Sequence, residues 1–297
     1  MKFLKVNRWN ERIYDAFCQK YDLNQMTSKD IFEKLIEEGY WSSDFYEKSL
    51  IKLYGWECLT IPFSTNLNNK NYIKIANSIF KPLFGFDFDF QRGYVSLLNF
   101  IEDYNPDILY LAPTLSYTDS VISEARRRAK NIKKIMGWNC MLVSEEEYQH
   151  MKSYDAIFTC VPDINEMMLR KDIKSYNQGL SFDPEILDKI EKREKRHDIV
   201  FTGTIRPCKD YRLQVMQEIE KSGLNFEIYC PNKDYECYFN KPFSPPVFGL
   251  DMYQLLADSK IILNIHATTK NAGNLRLYEA TGIGTCLLTD RQEGLEE

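Results

Sequence analysis

Short apolar runs alternate with longer segments of helical period along most of the chain. Runs of this length, rich in aliphatic and aromatic side chains, are typical of buried strands. Nine strands are predicted: Phe3–Val6, Glu57–Ile61, Ile108–Ala112, Asn139–Val143, Ala156–Cys160, Asp198–Thr202, Asn225–Tyr229, Lys260–Ile265 and Thr285–Thr289. Such βα alternation predicts an α/β fold with mostly parallel, doubly wound sheets that carry helices on both faces.

Two helices are predicted from polar residues that begin a periodic segment. One covers 118–137, with Thr118 or Asp119 as its N-cap, and ends at a glycine. The other covers 183–196, where Pro184 suits the first helical position. The charged run at the end of this second segment is interpreted as a solvated helix face.

A break in the pattern divides the chain into two βα series. The segment YNQGLSFDPEIL, at 176–187, carries glycine and proline between them. A length of 297 residues suits two domains of ordinary size. We therefore predict an N-terminal domain at 1–178 and a C-terminal domain at 179–297.

Composition and charge exclude several classes of protein. A net charge of −5 gives no basic surface for nucleic acid, so no nucleic-acid partner is expected. The eight cysteines contain no CxxC pair, and the three histidines are far apart, which argues against a disulfide scaffold or a metal site. No apolar run reaches the length of a membrane span. We expect a cytoplasmic protein with reduced cysteines.

Cations follow the predicted strand at 198–202, at the edge where open α/β sheets bind ligands. Gly203 permits a close approach of the backbone to a ligand. Arg206, Lys209 and Arg212 come next, and clustered cations suit a diphosphate. Surface ion pairs are the alternative interpretation of these residues.

The segment LRLYEATGIG near the C-terminal end predicts a helix followed by a turn. Asn274 is a good N-cap, so the first backbone N–H groups would face any nearby anion. Arg276 and Glu279 are three residues apart and could simply pair. Gly282 is expected to end the helix in the left-handed region, and Gly284 to open the next strand.

Several segments together resemble glycosyltransferases with the GT-B fold. FTGTIRPCKDYRLQVMQEI, MYQLLADSKIILNIHA and AGNLRLYEATGIGTCLLTD resemble the C-terminal domain of that family in order and spacing. NPDILYL, YDAIFTCVPD and NQGLSFDPEIL resemble landmarks of its N-terminal domain and junction. The likeness is closest to the group 1 and spore-maturation-type members and covers most of residues 100–290.

The resemblance implies two Rossmann-like domains and a sugar transfer. The C-terminal domain would bind a nucleotide-sugar donor, and the N-terminal domain would face a glycan, lipid or protein acceptor. It implies no metal and no cofactor besides the nucleotide sugar, and a role in cell-surface polysaccharide synthesis. Peripheral association with a membrane is left open. A nucleotide-sugar epimerase and a non-catalytic nucleotide- or sugar-binding module are the alternatives.

Roles for single residues also follow from the resemblance. Glu279 matches the carboxylate that binds the ribose hydroxyls, and Gly203 the glycine near the phosphates. Arg212, with Arg206 or Lys209, would neutralise the leaving diphosphate. Further residues expected at the donor site are Asn271, Asn274 and Arg276.

The chain also departs from the family pattern. Asn271 stands where many retaining members carry a second glutamate, so retention cannot be inferred. The general base of an inverting reaction would come from the N-terminal domain, where Asp44 and Asp119 are candidates that also suit helix caps. His266 follows a strand and would either contact the donor or serve as a structural histidine. The family pattern continues for several more elements, so the C-terminal domain is expected to be incomplete.

Overall fold

Two units of parallel sheet and helix make up the protein, Met1–Gln178 and Gly179–Glu297. The computed structural model describes residues 1–40, 45–64, 68–89, 92–141, 143–205, 210–266 and 274–291. The α/β class with parallel sheets, predicted from the alternating pattern, is confirmed in both units.

The N-terminal unit is built on a parallel sheet of six strands. The strands are β1 Lys2–Arg8, β2 Glu57–Phe63, β3 Ile108–Ala112, β4 Lys134–Trp138, β5 Ala156–Thr159 and β6 Ser175–Asn177. The helices are α1 Glu11–Lys20, α2 Ser28–Glu37, α3 Phe45–Tyr54, α4 Lys70–Phe84, α5 Gly93–Tyr104, α6 Asp119–Arg128, α7 Glu145–Met151 and α8 Pro162–Arg170. In the sheet order β2-β1-β3-β4-β5-β6, β2 lies on one side of β1 and the later strands lie on the other. The direction of the crossovers therefore changes between β1 and β3.

The C-terminal unit contains a second parallel sheet, of four strands. They are β7 His197–Thr202, β8 Phe226–Tyr229, β9 Ser259–Asn264 and β10 Cys286–Thr289. Its helices are α9 Asp210–Lys221, α10 Gly249–Ala257 and α11 Leu275–Ile283. In the order β10-β9-β7-β8, the chain passes from β7 to β8 on one side of β7. It then crosses back to β9 on the other side of β7. The switch point of this sheet therefore lies between β7 and β9.

Buried aliphatic side chains from the strands form the cores of both units. Leu4 and Val6 of β1 are completely buried, and so is Val200 of β7. Strands buried on both faces explain why the sequence shows continuous apolar runs instead of strict alternation.

The region after Arg128 differs from the prediction of one helix over 118–137 and a strand over 139–143. Thr118 caps α6 as expected, but the helix ends at Arg128. Residues 134–138 instead form β4, which pairs in parallel with β3. The prediction was wrong because a short apolar run suits a helix end or a strand equally well, and only the pairing with β3 decides.

The helix predicted over 183–196 was also wrong. Only Pro184–Asp188 forms a short 3-10 turn. Arg193 instead makes a double contact with Asp258, from Nε to Oδ1 at 2.8 Å and from Nη2 to Oδ2 at 2.6 Å. Lys195 donates to the carbonyl of Ala257 at 2.7 Å. The charged run thus binds the C-terminal end of α10, a partner distant in sequence.

Neither of the two glycines near the C-terminal end has the role predicted for it. Gly284 is the C-cap of α11, with a left-handed φ of 85°. Gly282 lies inside the helix, where a Cβ would stand 2.4 Å from ring atoms of Phe182. Gly282 is therefore explained by close packing and Gly284 by backbone conformation.

Over the part of the chain that the structure describes, no helix is both long and apolar enough to cross a membrane.

Candidate functional site

The carboxyl ends of β7 and β9 form the candidate site of the C-terminal unit. These strands flank the switch point, where diverging crossovers leave a crevice that ligands of open α/β sheets occupy. The chain leaves β7 through Gly203 and leaves β9 through Ile265 and His266. Helix α11 follows, and its N-terminal half contacts both strand ends.

Arg276 and Glu279 attach α11 to this edge and pair with each other. Arg276 Nη1 lies 2.8 Å from Glu279 Oε2. Arg276 Nη2 donates to the carbonyl of Thr202 at 3.4 Å, which ties the helix to the end of β7. Glu279 is only 7% exposed, and its other oxygen accepts from the Tyr253 hydroxyl at 3.5 Å. The sequence left open that Arg276 and Glu279 simply pair with each other. This ion pair is present, but it is buried at the edge of the sheet where a ligand would bind.

The environment of Tyr253 reflects the charge beside it. Burial raises the pKa of Tyr253, and the neighbouring Glu279 carboxylate raises it further, while Arg276 opposes the shift. Tyr253 therefore stays protonated and donates its hydroxyl to Glu279.

Asn274 occupies the N-cap position of α11, but its side chain does not cap the helix. Its Nδ2 donates to Asn264 Oδ1 at 2.8 Å, and Asn264 in turn donates to Thr289 Oγ1 at 3.0 Å. Asn274 Oδ1 is buried and finds no hydrogen-bond partner within the described ranges. The Asn274 side chain therefore leaves the first N–H groups of α11 uncapped, and the positive end of the helix can receive an anion.

His266 and Asp290 form a buried pair at the ends of β9 and β10. His266 Nδ1 lies 2.7 Å from Asp290 Oδ1, which also accepts the backbone N–H of His266 at 2.9 Å. The carboxylate favours a proton on Nδ1 and fixes the orientation of the ring. His266 Nε2 is buried and has no partner among the residues placed by the structure. Sequence reasoning missed Asp290, although an acid directly after a strand was the available signal.

Arg212 contacts backbone carbonyls in this structure. It is 8% exposed, and its Nη1 donates to the carbonyl of Thr204 at 2.7 Å. Its Nη2 donates to the carbonyl of Ile265, and the guanidinium lies 5.7 Å from the centre of the Phe201 ring. Arg212 thus connects the chain segments that leave β7 and β9, and so shapes the edge. Gly203 lies in the first of these segments and donates its N–H to the carbonyl of Tyr229 at 3.1 Å.

Four predicted site residues lie outside the described residues. They are Asp44, Arg206, Lys209 and Asn271.

Asp119 is the first residue of α6 in the N-terminal unit, and its carboxylate already has partners. His150 Nδ1 lies 2.5 Å from Asp119 Oδ1, and the Ser153 hydroxyl donates to the same oxygen. Burial alone would raise the pKa of Asp119, but these hydrogen bonds outweigh it and lower the pKa. A carboxylate stabilised in this way is a weak base, and its contacts connect the first turn of α6 to His150 and Ser153.

The N-terminal unit has its own crevice at its switch point. A cavity of about 560 Å³ lies where β1 and β3 end, and Arg8, Trp9, Arg12 and Pro113 are among its lining residues. Arg8 Nη1 donates to Ser116 Oγ at 3.3 Å. The sequence analysis did not select these residues, because no motif marks them and only the strand order brings them together.

Among the residues described, no group of three or more His, Cys, Asp or Glu side chains could hold a metal ion.

One comparison with known proteins finds a match in the C-terminal part of the chain. Residues 212–297 match a family model described as glycosyl transferase-like. This region includes most of α9, all of α10 and α11, and the His266–Asp290 pair. No protein among the curated ones matches the sequence.

Solved structures resemble the whole chain. An alpha-glucosyltransferase in complex with UDP-glucose and DNA containing an abasic site has a TM-score of 0.56 and 12% identity, over 99% of this chain and 81% of that one. HepE of Anabaena in complex with UDP-glucose has a TM-score of 0.53 and 9% identity, over 100% and 82%. UDP-GlcNAc 2-epimerase of Neisseria meningitidis has a TM-score of 0.53 and 13% identity, over 100% and 85%.

The fold is GT-B. The parallel sheets of both units and the structural likeness agree on this, as the sequence resemblance implied. Identities of this size establish the fold and leave the reaction to be argued from the site. The narrower assignment to spore-maturation-type glycosyltransferases stays a prediction.

Proposed function

We propose that the protein is a glycosyltransferase that moves a sugar from a nucleotide-activated donor held by its C-terminal unit. The observation that carries the proposal is Glu279. This buried carboxylate lies on α11 beside the switch point, within the residues that match the glycosyl transferase-like family. A buried acid at a ligand edge needs hydrogen-bond donors, and a ribose offers two vicinal hydroxyls.

Glu279 retains acceptor capacity for such a ligand despite its ion pair. An ionised carboxylate has about four acceptor positions on its two oxygens. Arg276 occupies one of them, and Tyr253 contacts another at the long distance of 3.5 Å. Arg276 also fixes the carboxylate in place, so the proposed ribose site needs little reorganisation on binding.

The diphosphate of the donor is assigned to the positive end of α11. The N–H groups of its first turn are not capped by the Asn274 side chain, and Asn274 Oδ1 could accept a donor hydroxyl. His266 Nε2 would donate to a phosphate oxygen when the ring is protonated. As the bond from the sugar to the diphosphate breaks, these donors stabilise the charge on the leaving group. Arg206 and Lys209 are proposed as further partners, and the proposal assigns no metal.

The acceptor is assigned to the N-terminal unit, at the crevice that includes Arg8 and Arg12. A glycan, a lipid and a protein are all compatible with this assignment. Asp44 and Asp119 stay the candidate general bases, and Asp119 contacts His150 and Ser153 in this structure. A cytoplasmic location, a peripheral membrane association and a role in cell-surface polysaccharide synthesis belong to the same proposal.

The test is a product analysis with UDP-glucose and UDP-GlcNAc as donors, with and without added acceptors. A glycosyltransferase releases UDP together with free or transferred sugar. Conversion of the nucleotide sugar to its epimer without release of UDP would identify an epimerase. Binding of UDP with neither product would identify a non-catalytic module and would contradict the proposal.

A further inference from the structure

Two cysteines lie side by side at the carboxyl edge of the N-terminal sheet. Strands β4 and β5 are parallel neighbours, and their last paired residues are Trp138 and Phe158. The pairing continues one step further, because the N–H of Asn139 donates to the carbonyl of Phe158 at 3.0 Å. Cys140 therefore lies two residues beyond Trp138, and Cys160 lies two residues beyond Phe158.

This placement suits a disulfide. Neighbouring strands are about 4.7–4.9 Å apart, and disulfides join Cα atoms about 4.4–6.8 Å apart. Both cysteines are free thiols, and Cys140 is exposed while Cys160 is half-buried. Twenty residues of sequence separate them, so the pair is not visible as a short motif along the chain.

Three groups beside the thiol of Cys140 favour its thiolate form. The hydrogen bond from the Cys160 thiol, with further donation from the Trp138 indole and the backbone N–H of Cys140, lowers the pKa of Cys140 to about 7, although the partial desolvation of the sulfur opposes this. These contributions come from β4 and β5 and include no charged side chain. Tyr46 of α3 is a further titratable neighbour of Cys160.

We infer that Cys140 and Cys160 form a redox-active dithiol, in which Cys140 is the attacking thiol and Cys160 closes the disulfide. The co-reactant is a low-molecular-weight disulfide such as oxidised glutathione. The Cys140 thiolate attacks one sulfur of that disulfide, forms a mixed disulfide and releases one glutathione thiolate. Cys160 then loses its proton to solvent and attacks Cys140 Sγ, which releases the second glutathione. The protein loses two electrons, and one oxidised glutathione becomes two reduced ones.

The order of the two steps follows from the environment of Cys160. Its hydrogen bond to Cys140 is the largest cause that raises the pKa of Cys160, and burial and the charge of Cys140 add to it. In a mixed disulfide the Cys140 sulfur carries no charge, so the hydrogen bond to Cys140 and the charge of Cys140 no longer keep Cys160 protonated. Cys160 therefore becomes reactive only after Cys140 has reacted. The inference is independent of the proposed sugar transfer.

The first experiment uses the full chain in a buffer of oxidised and reduced glutathione, followed by acid quenching, alkylation and peptide mass spectrometry. Wild type should yield a peptide pair linked through Cys140 and Cys160. Cys160→Ser should instead accumulate glutathione on Cys140, and Cys140→Ser should yield neither product. Cys237→Ser, which removes another exposed thiol, is the matched control and should behave as wild type.

A second experiment needs no variant that might fail to fold. The rate of iodoacetamide labelling of each cysteine in the wild type is measured against pH. Cys140 should reach half its maximal rate near pH 7 and at that pH should react about fivefold faster than Cys237, since a larger thiolate fraction outweighs the lower nucleophilicity. Labelling of Cys140 no faster than Cys237, or glutathione adducts distributed over all exposed cysteines, would overturn the inference.

Discussion

We expect the two partners of the ion pair, Arg276 and Glu279, to contribute unequally to the free energy of unfolding. Both side chains are largely buried, with exposures of 15% and 9%. Arg276→Ala leaves a buried carboxylate without its cation, whereas Glu279→Gln keeps an acceptor oxygen for Arg276, which also donates to the carbonyl of Thr202. Truncating one partner of a buried pair is the more costly change.

We therefore expect Arg276→Ala to lower the free energy of unfolding by about 3 kcal/mol, and Glu279→Gln to lower it by about 1 kcal/mol. Urea unfolding measures both. Lys221→Ala is the matched control, because Lys221 and Glu218 form a pair of the same spacing with exposures of 67% and 72%. Equal losses for Arg276→Ala and Lys221→Ala would show that the buried pair has no special role in stability.

For single residues, the sequence indicated part of the candidate site. Asn274, Arg276 and Glu279 lie on one helix, so their spacing sufficed to bring them together. Asp290 was missed because its contact with His266 joins two strands, and strand neighbours depend on sheet order. The contacts of Arg212 with backbone carbonyls could not be foreseen, because sequence patterns describe side chains better than loop backbones.

Helix α11 depends on a glycine that ordinary helix propensity would disfavour. In an exposed helix, Gly→Ala stabilises by about 0.5–1 kcal/mol. At Gly282 the added Cβ would meet Phe182 at 2.4 Å. Phe182 also packs edge-on against Tyr253, with ring centres 6.2 Å apart.

We expect Gly282→Ala to destabilise the protein by about 1–3 kcal/mol, as overpacking does. Thermal unfolding measures this loss. The same substitution in a Phe182→Ala background should cost much less, because the clashing ring is gone. An equal cost in both backgrounds would refute the packing explanation.

The charged segment before β7 stabilises α10 through Arg193 and Asp258. Burial alone would raise the pKa of Asp258, but the hydrogen bonds from Arg193 and Gln254 outweigh it and lower the pKa. A carboxyl group with a lowered folded-state pKa stabilises the fold above its unfolded pKa of about 3.9. This contribution is lost as the pH falls through the folded value.

Asp258→Asn should accordingly lower the urea midpoint at pH 7 by a few tenths of a molar unit. The difference from wild type should shrink at pH 3, where the wild-type carboxylate begins to take up a proton. Glu194→Gln, in the same segment, is the control for the loss of one negative charge. A difference between Asp258→Asn and wild type that is the same at both pH values would contradict the assigned ion pair.

Most strands could be predicted because they are continuous apolar runs, yet two elements show the limit of such patterns. Residues 134–138 suit a helix by periodicity and become β4 only because β3 lies beside them. The short strand β6 was missed because its three residues, Ser175–Asn177, carry no apolar run. In both cases long-range pairing decides the conformation, and local sequence does not record it.

Each of the two units has a switch point in its sheet, and the proposed donor site lies at the switch point of the C-terminal unit only. Addition of UDP should therefore slow amide hydrogen exchange at the ends of β7 and β9 and in the first turn of α11. Peptides from the crevice of Arg8 and Arg12 should change little with UDP alone. Protection confined to the N-terminal unit would reverse the assignment of donor and acceptor sides.

We propose that α11 presents a ribose-binding carboxylate at the edge of the C-terminal sheet. Calorimetric binding of UDP to wild type, Glu279→Gln and Glu218→Gln tests it most directly. Glu218 pairs with Lys221 at 2.8 Å, with the same spacing in sequence but on the surface of α9. Glu279→Gln should lose about tenfold or more in affinity, because glutamine accepts at one oxygen only and adds a donor toward the ribose. Glu218→Gln should bind as wild type does, and equal binding by all three proteins would contradict the account.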